Sequence, residues 1–406
     1  MAYEGDNMTG LRRSNRSACL YTLHRKGSMS RKRLAEALKL TPAAMSIITR
    51  ELIEEGLIKE GPSVAGLKAG RREILLETNP KAAWALGVLI NVRQAIISAI
   101  WLDGTVIFSE TVPLPLRADA EKTVDMLSEM MLKRCSRCSL DLSSSVGLGI
   151  AVRGLMSRDG RMVRDSFGAL DANDFDICRR FEQRTGIPAV LSNNVRALFS
   201  AQIFMGKEEK AESQFFMRCE YGVGASFAID SRIWMGDSGR CAEIGHIPVV
   251  LKGGKPCYCG KTGCLETVAS PAAICEDAIE QLSPEKSPVL WSLTGGDPEN
   301  VTIDTVLRAA RDGDPAAGKV VRKAVSALGS ALRSVIYLLD PGKVIFYGRI
   351  FDDPYFLSLL QDEVRLGLDA GHRILLERSV FNHSLEDKAA GLLAVTDFLS
   401  RGAIAE

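Results

Sequence analysis

Glu243-Ile-Gly-His246, followed closely by Cys257-Tyr-Cys259-Gly260-Lys-Thr-Gly263-Cys264-Leu-Glu266, is the stretch whose chemistry is most specific. One imidazole and three thiols, at His246, Cys257, Cys259 and Cys264, form a suitable donor set for a tetrahedral zinc. Gly260 and Gly263 let the short loop turn tightly enough to aim three sulfurs at one point. The alternative, free cysteines in a loop, fits the spacing less well. Four donors without a fifth predict a closed, structural site and not a hydrolytic one.

Outward from this loop, the composition is that of a soluble globular protein. The apolar fraction is 46% and the charged fraction 25%, both ordinary values. A chain of 406 residues has room for two or three domains. No apolar run reaches the length of a bilayer span, and the start, Met1-Ala-Tyr-Glu-Gly-Asp6, lacks the basic and apolar regions of a signal peptide. The other cysteines are scattered without a disulfide framework, so a reducing cytoplasm is expected. Cys135-Ser-Arg-Cys138 ends an amphipathic helix with no strand before it, which argues against a redox motif. Charge is unevenly placed: residues 1–75 carry roughly +6 and the remainder compensates, as expected when one end of a chain meets nucleic acid.

That basic end has the grammar of a helix-turn-helix. Ser30-Arg-Lys-Arg-Leu34-Ala35-Glu-Ala-Leu38 has apolar residues at helical spacing. Thr41 and Pro42 supply an N-cap and a first helical position for the next helix. On that helix Met45, Ile48 and Leu52 are expected to pack inward. Ala43, Ser46, Thr49 and Arg50 are expected to face base edges, with Thr41 at the helix start. The strands after Gly56 and around Arg71-Arg72 predict a wing. The alternatives for this segment are a three-helix packing module and a winged helix that binds protein.

The motif Glu-x-Gly-His, then Cys-x-Cys-Gly-x-x-Gly-Cys-Leu-Glu, resembles the signature of the ROK family of repressors and sugar kinases, and weaker resemblance runs from about Gly10 to Phe398. The resemblance implies an α/β chain: an N-terminal winged helix-turn-helix over residues 1–78, then a two-lobed, actin-like (ribonuclease-H-like) domain. Its lobes are expected at 79–190 and 191–406, with the C-terminal helix returning to the first. Gly70-Arg71-Arg72 resembles the segment after the wing in the family's repressors; arginines there are expected to enter a minor groove. Strand patterns from Trp84 to Leu102 and from Phe215 to Trp234 read as a weak internal duplication.

The resemblance also assigns roles. The family's catalytic base is the aspartate of an Asn-Asp pair; here the segment is Asn193-Asn194, and an amide takes no proton at neutral pH. The first phosphate loop, Asp-x-Gly-Gly-Thr, becomes Leu89-Ile90-Asn91-Val92-Arg93. The second, Gly-Thr-Gly-x-Gly, becomes Glu220-Tyr221-Gly222-Val223-Gly224. A later glycine cluster shrinks to Tyr347-Gly348-Arg349. The sugar-side positions keep their chemistry: Asn193, Glu243, His246 and Glu266, with Asn194 beside them. His246 is expected to hold zinc through one nitrogen and offer the other to the ligand.

The expectation is therefore a cytoplasmic transcriptional regulator, a repressor, with no enzymatic activity. Its partners are operator DNA and a sugar or sugar derivative, its cofactor is zinc, and it assembles as a homodimer or homotetramer. The competing readings are an ATP-dependent sugar kinase and a regulator controlled by a protein partner.

Overall fold

The computed structural model of the chain describes residues 8–64, 72–206, 212–369 and 371–404. Contacts divide it into two compact units: Met1–Glu208 with Ser384–Glu406, and Glu209–His383. No helix among the described residues is long and apolar enough to cross a membrane.

The first unit opens with a winged helix: α1 (Met8–Lys26), β1 (Met29–Ser30), α2 (Arg31–Leu38), α3 (Pro42–Glu54), β2 (Ile58–Val64) and β3 (Glu73–Thr78). Local chemistry sets the helix starts. The Ser30 hydroxyl accepts the Arg33 N–H at 3.3 Å and the Thr41 hydroxyl accepts the Ala44 N–H at 3.2 Å. Each satisfies an orphan donor of the first turn. Leu20, Leu23, Leu34, Met45, Ile48, Leu52 and Leu76 are buried and form the small core. The strands lie in the order β1-β3-β2, all antiparallel.

After the wing, β4 (Trp84–Asn91), β5 (Gln94–Trp101) and β6 (Val106–Pro113) form an antiparallel meander. Strands Ser145–Val152 and Ala189–Asn193 extend it in parallel beyond β4. Every residue of β4 is buried, because both sheet faces are covered. Val124, Leu127 and Met131 of the helix Ala120–Arg137 pack with Leu86, Val88 and Ile90. On the other face lies the C-terminal helix Glu386–Ser400, which also packs against the helix Asn194–Met205.

The second unit repeats this plan. Strands Arg232–Ile233, Val223–Ile229 and Ser213–Cys219 are antiparallel, and Lys343–Tyr347 and Leu375–Arg378 extend them in parallel. The internal duplication read from the strand pattern is thus a shared five-strand order. The long helix Pro315–Leu339 contributes Val321, Leu328 and Leu332 to a core with Phe215, Met217 and Phe346.

The expected boundaries need correction. The division falls at 208/209 and not at 190/191, because Ala189–Asn193 is the outer strand of the first sheet and the helix it feeds packs on the C-terminal helix. Residues 1–78 do not separate from the first lobe; they share its compact unit. Tyr21 on the Thr396 carbonyl, His24 against Phe204 and Arg16 all join the two. Arg16 of α1 is only 1% exposed, and its guanidinium donates to the Gly402 carbonyl at 2.8 Å, to Glu51 at 3.1 Å and to Glu55. Arg12 also meets Glu51, at 2.8 Å. Two of the basic residues counted toward nucleic acid are thus spent on α3.

Replacing Arg16 with Met is expected to lower stability by about 3 kcal/mol, the low end for a broken buried ion pair, because Glu51 and Glu55 can partly rehydrate. Arg16→Lys should recover only part, since one ammonium cannot reach three acceptors in fixed directions. The denaturant midpoint of the full chain checks both.

Candidate functional site

In the second unit the loop donors converge. His246 ends a short turn, Ile244–His246, that starts at Glu243. Gly245 within it is required by packing: a Cβ there would lie 2.0 Å from the Val223 carbonyl oxygen. Cys257 to Cys264 form a tight hairpin-like loop, with the Cys257 N–H donating to the Lys261 carbonyl at 2.8 Å. Gly260 and Gly263 hold φ of 84° and 70°, as the tight turns require.

One ligand atom from each of His246, Cys257, Cys259 and Cys264 lies within 4.8 Å of the others. His246 Nδ1 is 3.6 Å from Cys257 Sγ, and Cys259 Sγ is 3.6 Å from Cys264 Sγ. Sulfurs around a tetrahedral zinc, at ~2.3 Å from the metal, would be roughly 3.8 Å apart, so the donor set fits that ion. Burial pushes the Cys257 thiol up to about 12. A divalent cation would reverse this, because it binds the thiolate form and releases the proton.

The second nitrogen of His246, Nε2, meets the Tyr258 hydroxyl at 3.0 Å. A ligand must therefore compete with that hydroxyl or bind beside it, which amends the expectation that this nitrogen faces the ligand directly. Tyr258 is a residue the sequence reading passed over, although a tyrosine between two metal-type cysteines was a signal for outer-shell control of the histidine. Further support comes from Lys261, whose ammonium donates to the His246 carbonyl at 3.1 Å. Lys255 reaches Asp277 at 2.8 Å and Glu280 at 3.0 Å, tying the base of the loop to a helix.

The sugar-side acids sit close by in the chain fold. Glu266 is 9% exposed, and one carboxylate oxygen accepts the Val223 N–H at 2.9 Å. Val223 therefore links the two motifs: its carbonyl abuts Gly245 and its N–H holds Glu266. Glu243 is half-buried.

The positions expected on the phosphate side carry bonds between protein groups. In the second unit, Glu220 accepts the Arg349 N–H at 2.7 Å. An acid thus occupies a backbone donor of the kind that would otherwise cradle a phosphate. In the first unit, the Asn194 amide donates to the Asn91 carbonyl oxygen at 3.0 Å, and both side chains are buried. The position of the family's base and a lost glycine of the first phosphate loop are bonded to each other. Asn193 caps the helix it precedes, accepting the Val195 N–H at 2.8 Å and donating to the Gly154 carbonyl at 2.9 Å.

On the winged helix, Thr41, Ala43, Ser46 and Arg50 are exposed, as a base-reading face requires. Thr49 is not: it is fully buried. Its hydroxyl donates to the Met45 carbonyl at 2.8 Å and accepts from Arg31 Nε at 3.1 Å. The reason is helical spacing, since Thr49 shares a face with Met45, Ile48 and Leu52. Arg31 also pairs with Glu60 of β2 at 2.9 Å, joining both helices to the wing. Ile47, which the sequence reading did not place, is 50% exposed on the outward face. Arg72 is exposed, and Arg71 lies outside the described residues.

Comparison with known proteins adds the following. The ROK family model matches residues 87–394, and the MarR family model matches residues 14–64. The chain is 28% identical over 351 residues to the DNA-binding transcriptional dual regulator NagC of Escherichia coli K12, covering 85% of this chain and 82% of the relative. It is 25% identical over 338 residues to the DNA-binding transcriptional repressor Mlc of the same organism, covering 82% and 80%. A crystal structure described as a ROK family transcriptional regulator, homolog of the E. coli MLC protein, superposes with a TM-score of 0.81 at 25% identity, covering 97% of each chain. A ROK family glucokinase from Streptomyces griseus, solved with glucose and AMPPNP, superposes with a TM-score of 0.66 at 24% identity, covering 77% of this chain. This last match bears on fold alone.

Proposed function

The chain belongs to the ROK family, and on that premise we propose that it is a sugar-responsive, DNA-binding transcriptional repressor whose kinase-like domain senses and does not catalyse. The observation that carries this reading is the buried bond between Asn194 and Asn91. A kinase needs a proton acceptor at the first position and open backbone at the second. Here two carboxamides satisfy each other instead, in a chain that also carries a winged helix. The relatives that align along both parts of the chain bear regulator names, NagC and Mlc.

The residues proposed to contact the effector are Glu243, His246 and Glu266 of the second unit; Asn193 and Asn194, also expected at this contact, spend their side chains on the helix cap and on Asn91. Carboxylates suit a polyol, because each hydroxyl they bury must be paired. Operator contacts are assigned to Thr41, Ala43, Ser46 and Arg50, with Arg71 and Arg72 on the DNA backbone or minor groove. A dimer would set two recognition helices one turn of DNA apart, in the cytoplasm where the operator lies.

His246, Cys257, Cys259 and Cys264 are proposed to hold one zinc. When bound, zinc crosslinks the loop and keeps His246 a neutral donor. Tyr258 then fixes the ring from its other side, and Lys255 anchors the loop base. Protein purified without chelator should contain about one zinc per chain by elemental analysis. Cys257→Ser should lose the metal and unfold at lower temperature. Metal-free protein of unchanged stability would contradict the assignment.

The function is tested by operator binding across a panel of sugars and sugar phosphates. One member should change the affinity for DNA by roughly 5- to 150-fold, the usual range of coupling between two sites. Glu243→Ala and Glu266→Ala should abolish that response and leave affinity without effector unchanged. DNA binding indifferent to the whole panel would contradict sugar control.

A further inference from the structure

The outward face of α3 is unusual for a surface that meets DNA, because its centre is apolar. Ala43, Ser46, Ile47 and Arg50 are exposed and follow helical spacing, so they share one face. The Ser46 hydroxyl donates to the Pro42 carbonyl at 2.8 Å, so its proton is already engaged. Thr49, the other hydroxyl of this helix, is buried. Ile47 is 50% exposed. An exposed isoleucine alone decides nothing, but this one sits in the first half of the recognition helix, the part that meets base edges in a helix-turn-helix. The first turn of α3 carries no acid, and Glu51 further along is held by Arg12 and Arg16. The acid on this face, the exposed Glu54, stands two turns beyond Ile47 at the far end of the helix, so the first half of the face carries no group that would repel the duplex.

The major-groove edges of the bases present one apolar group, the 5-methyl of thymine. We propose that Ile47 reads a thymine methyl in each operator half-site, making that A·T pair a determinant of sequence choice. Ala43, one turn earlier, leaves room for the base to approach, and Arg50, one turn later, reaches the neighbouring edge or phosphate. This inference rests on the DNA-binding reading above and names the base chemistry it recognises.

The test uses the full-length protein and a duplex selected by it from a random-sequence pool. Each thymine is then replaced in turn by deoxyuridine, which removes only the methyl group. At one thymine per half-site, binding at fixed salt should weaken by roughly 3- to 10-fold, on the order of one buried methyl. Ile47→Ala should weaken binding to the unmodified duplex similarly and lose its sensitivity to that methyl, and Ile47→Val should fall between. The slope of affinity against salt should not change, since no phosphate contact is removed. Ile47→Ala that keeps full methyl sensitivity, a selected site indifferent to every uracil, or a reduced salt slope would each overturn the proposal. A pool that yields no enriched sequence would instead overturn the DNA-binding reading and the proposal with it.

Discussion

A buried guanidinium ties the winged helix to the first lobe, beside the Tyr21 hydroxyl on the Thr396 carbonyl and the stacking of His24 on Phe204. Arg16 has traded water for the Gly402 carbonyl and the carboxylates of Glu51 and Glu55. Burying a charge is tolerable only with such a full set of partners. The bond joins three places: α1 carries the arginine, α3 and its C-terminal cap the acids, and the turn after the C-terminal helix the carbonyl. The C-terminal helix in turn packs on β4, the central strand of the first lobe. The recognition helix is therefore mounted on the lobe and not merely tethered to it.

The kinase-like domain shows how binding and chemistry come apart on one fold. Phosphoryl transfer depends on positioning and on charge stabilisation at a few points. Those points are where protein groups now bond to one another: Asn194 to Asn91, Glu220 to the Arg349 N–H. Each contact satisfies a polar group that substrate or nucleotide would otherwise have to satisfy. The acids on the sugar side are differently placed. Glu266 spends one oxygen on the Val223 N–H, and that bond sets its direction. Val223, Gly245, His246 and the cysteine loop form one connected piece, so the Cys/His cluster and the orientation of Glu266 share a scaffold.

Much of this was legible in the sequence because it rests on local rules. The four donors, the two loop glycines, the Thr41 cap before Pro42 and the alternation of strands all depend on residues close in the chain. Asn194 marked the expected loss of the base once the resemblance had placed that position in the chain. What escaped depends on distant partners. Arg16 looked like one more basic residue, since its acceptors lie up to Gly402. The boundary near 190 failed because strand Ala189–Asn193 belongs to its parallel neighbour. Thr49 is a different case: its burial follows from the same helical period that placed Met45, and its polarity outweighed its position in the reading. Tyr258 escaped because a phenol is not a zinc ligand, yet it holds the ligand's other nitrogen.

The central claim is that this chain kept the sugar and gave up the phosphate. It is tested most directly by following ADP release in the presence of magnesium, ATP and the sugar that shifts operator affinity. The account predicts no sugar-dependent ADP above background while that same sugar moves the DNA-binding curve. Steady sugar-dependent ADP release from the unmodified protein would contradict it.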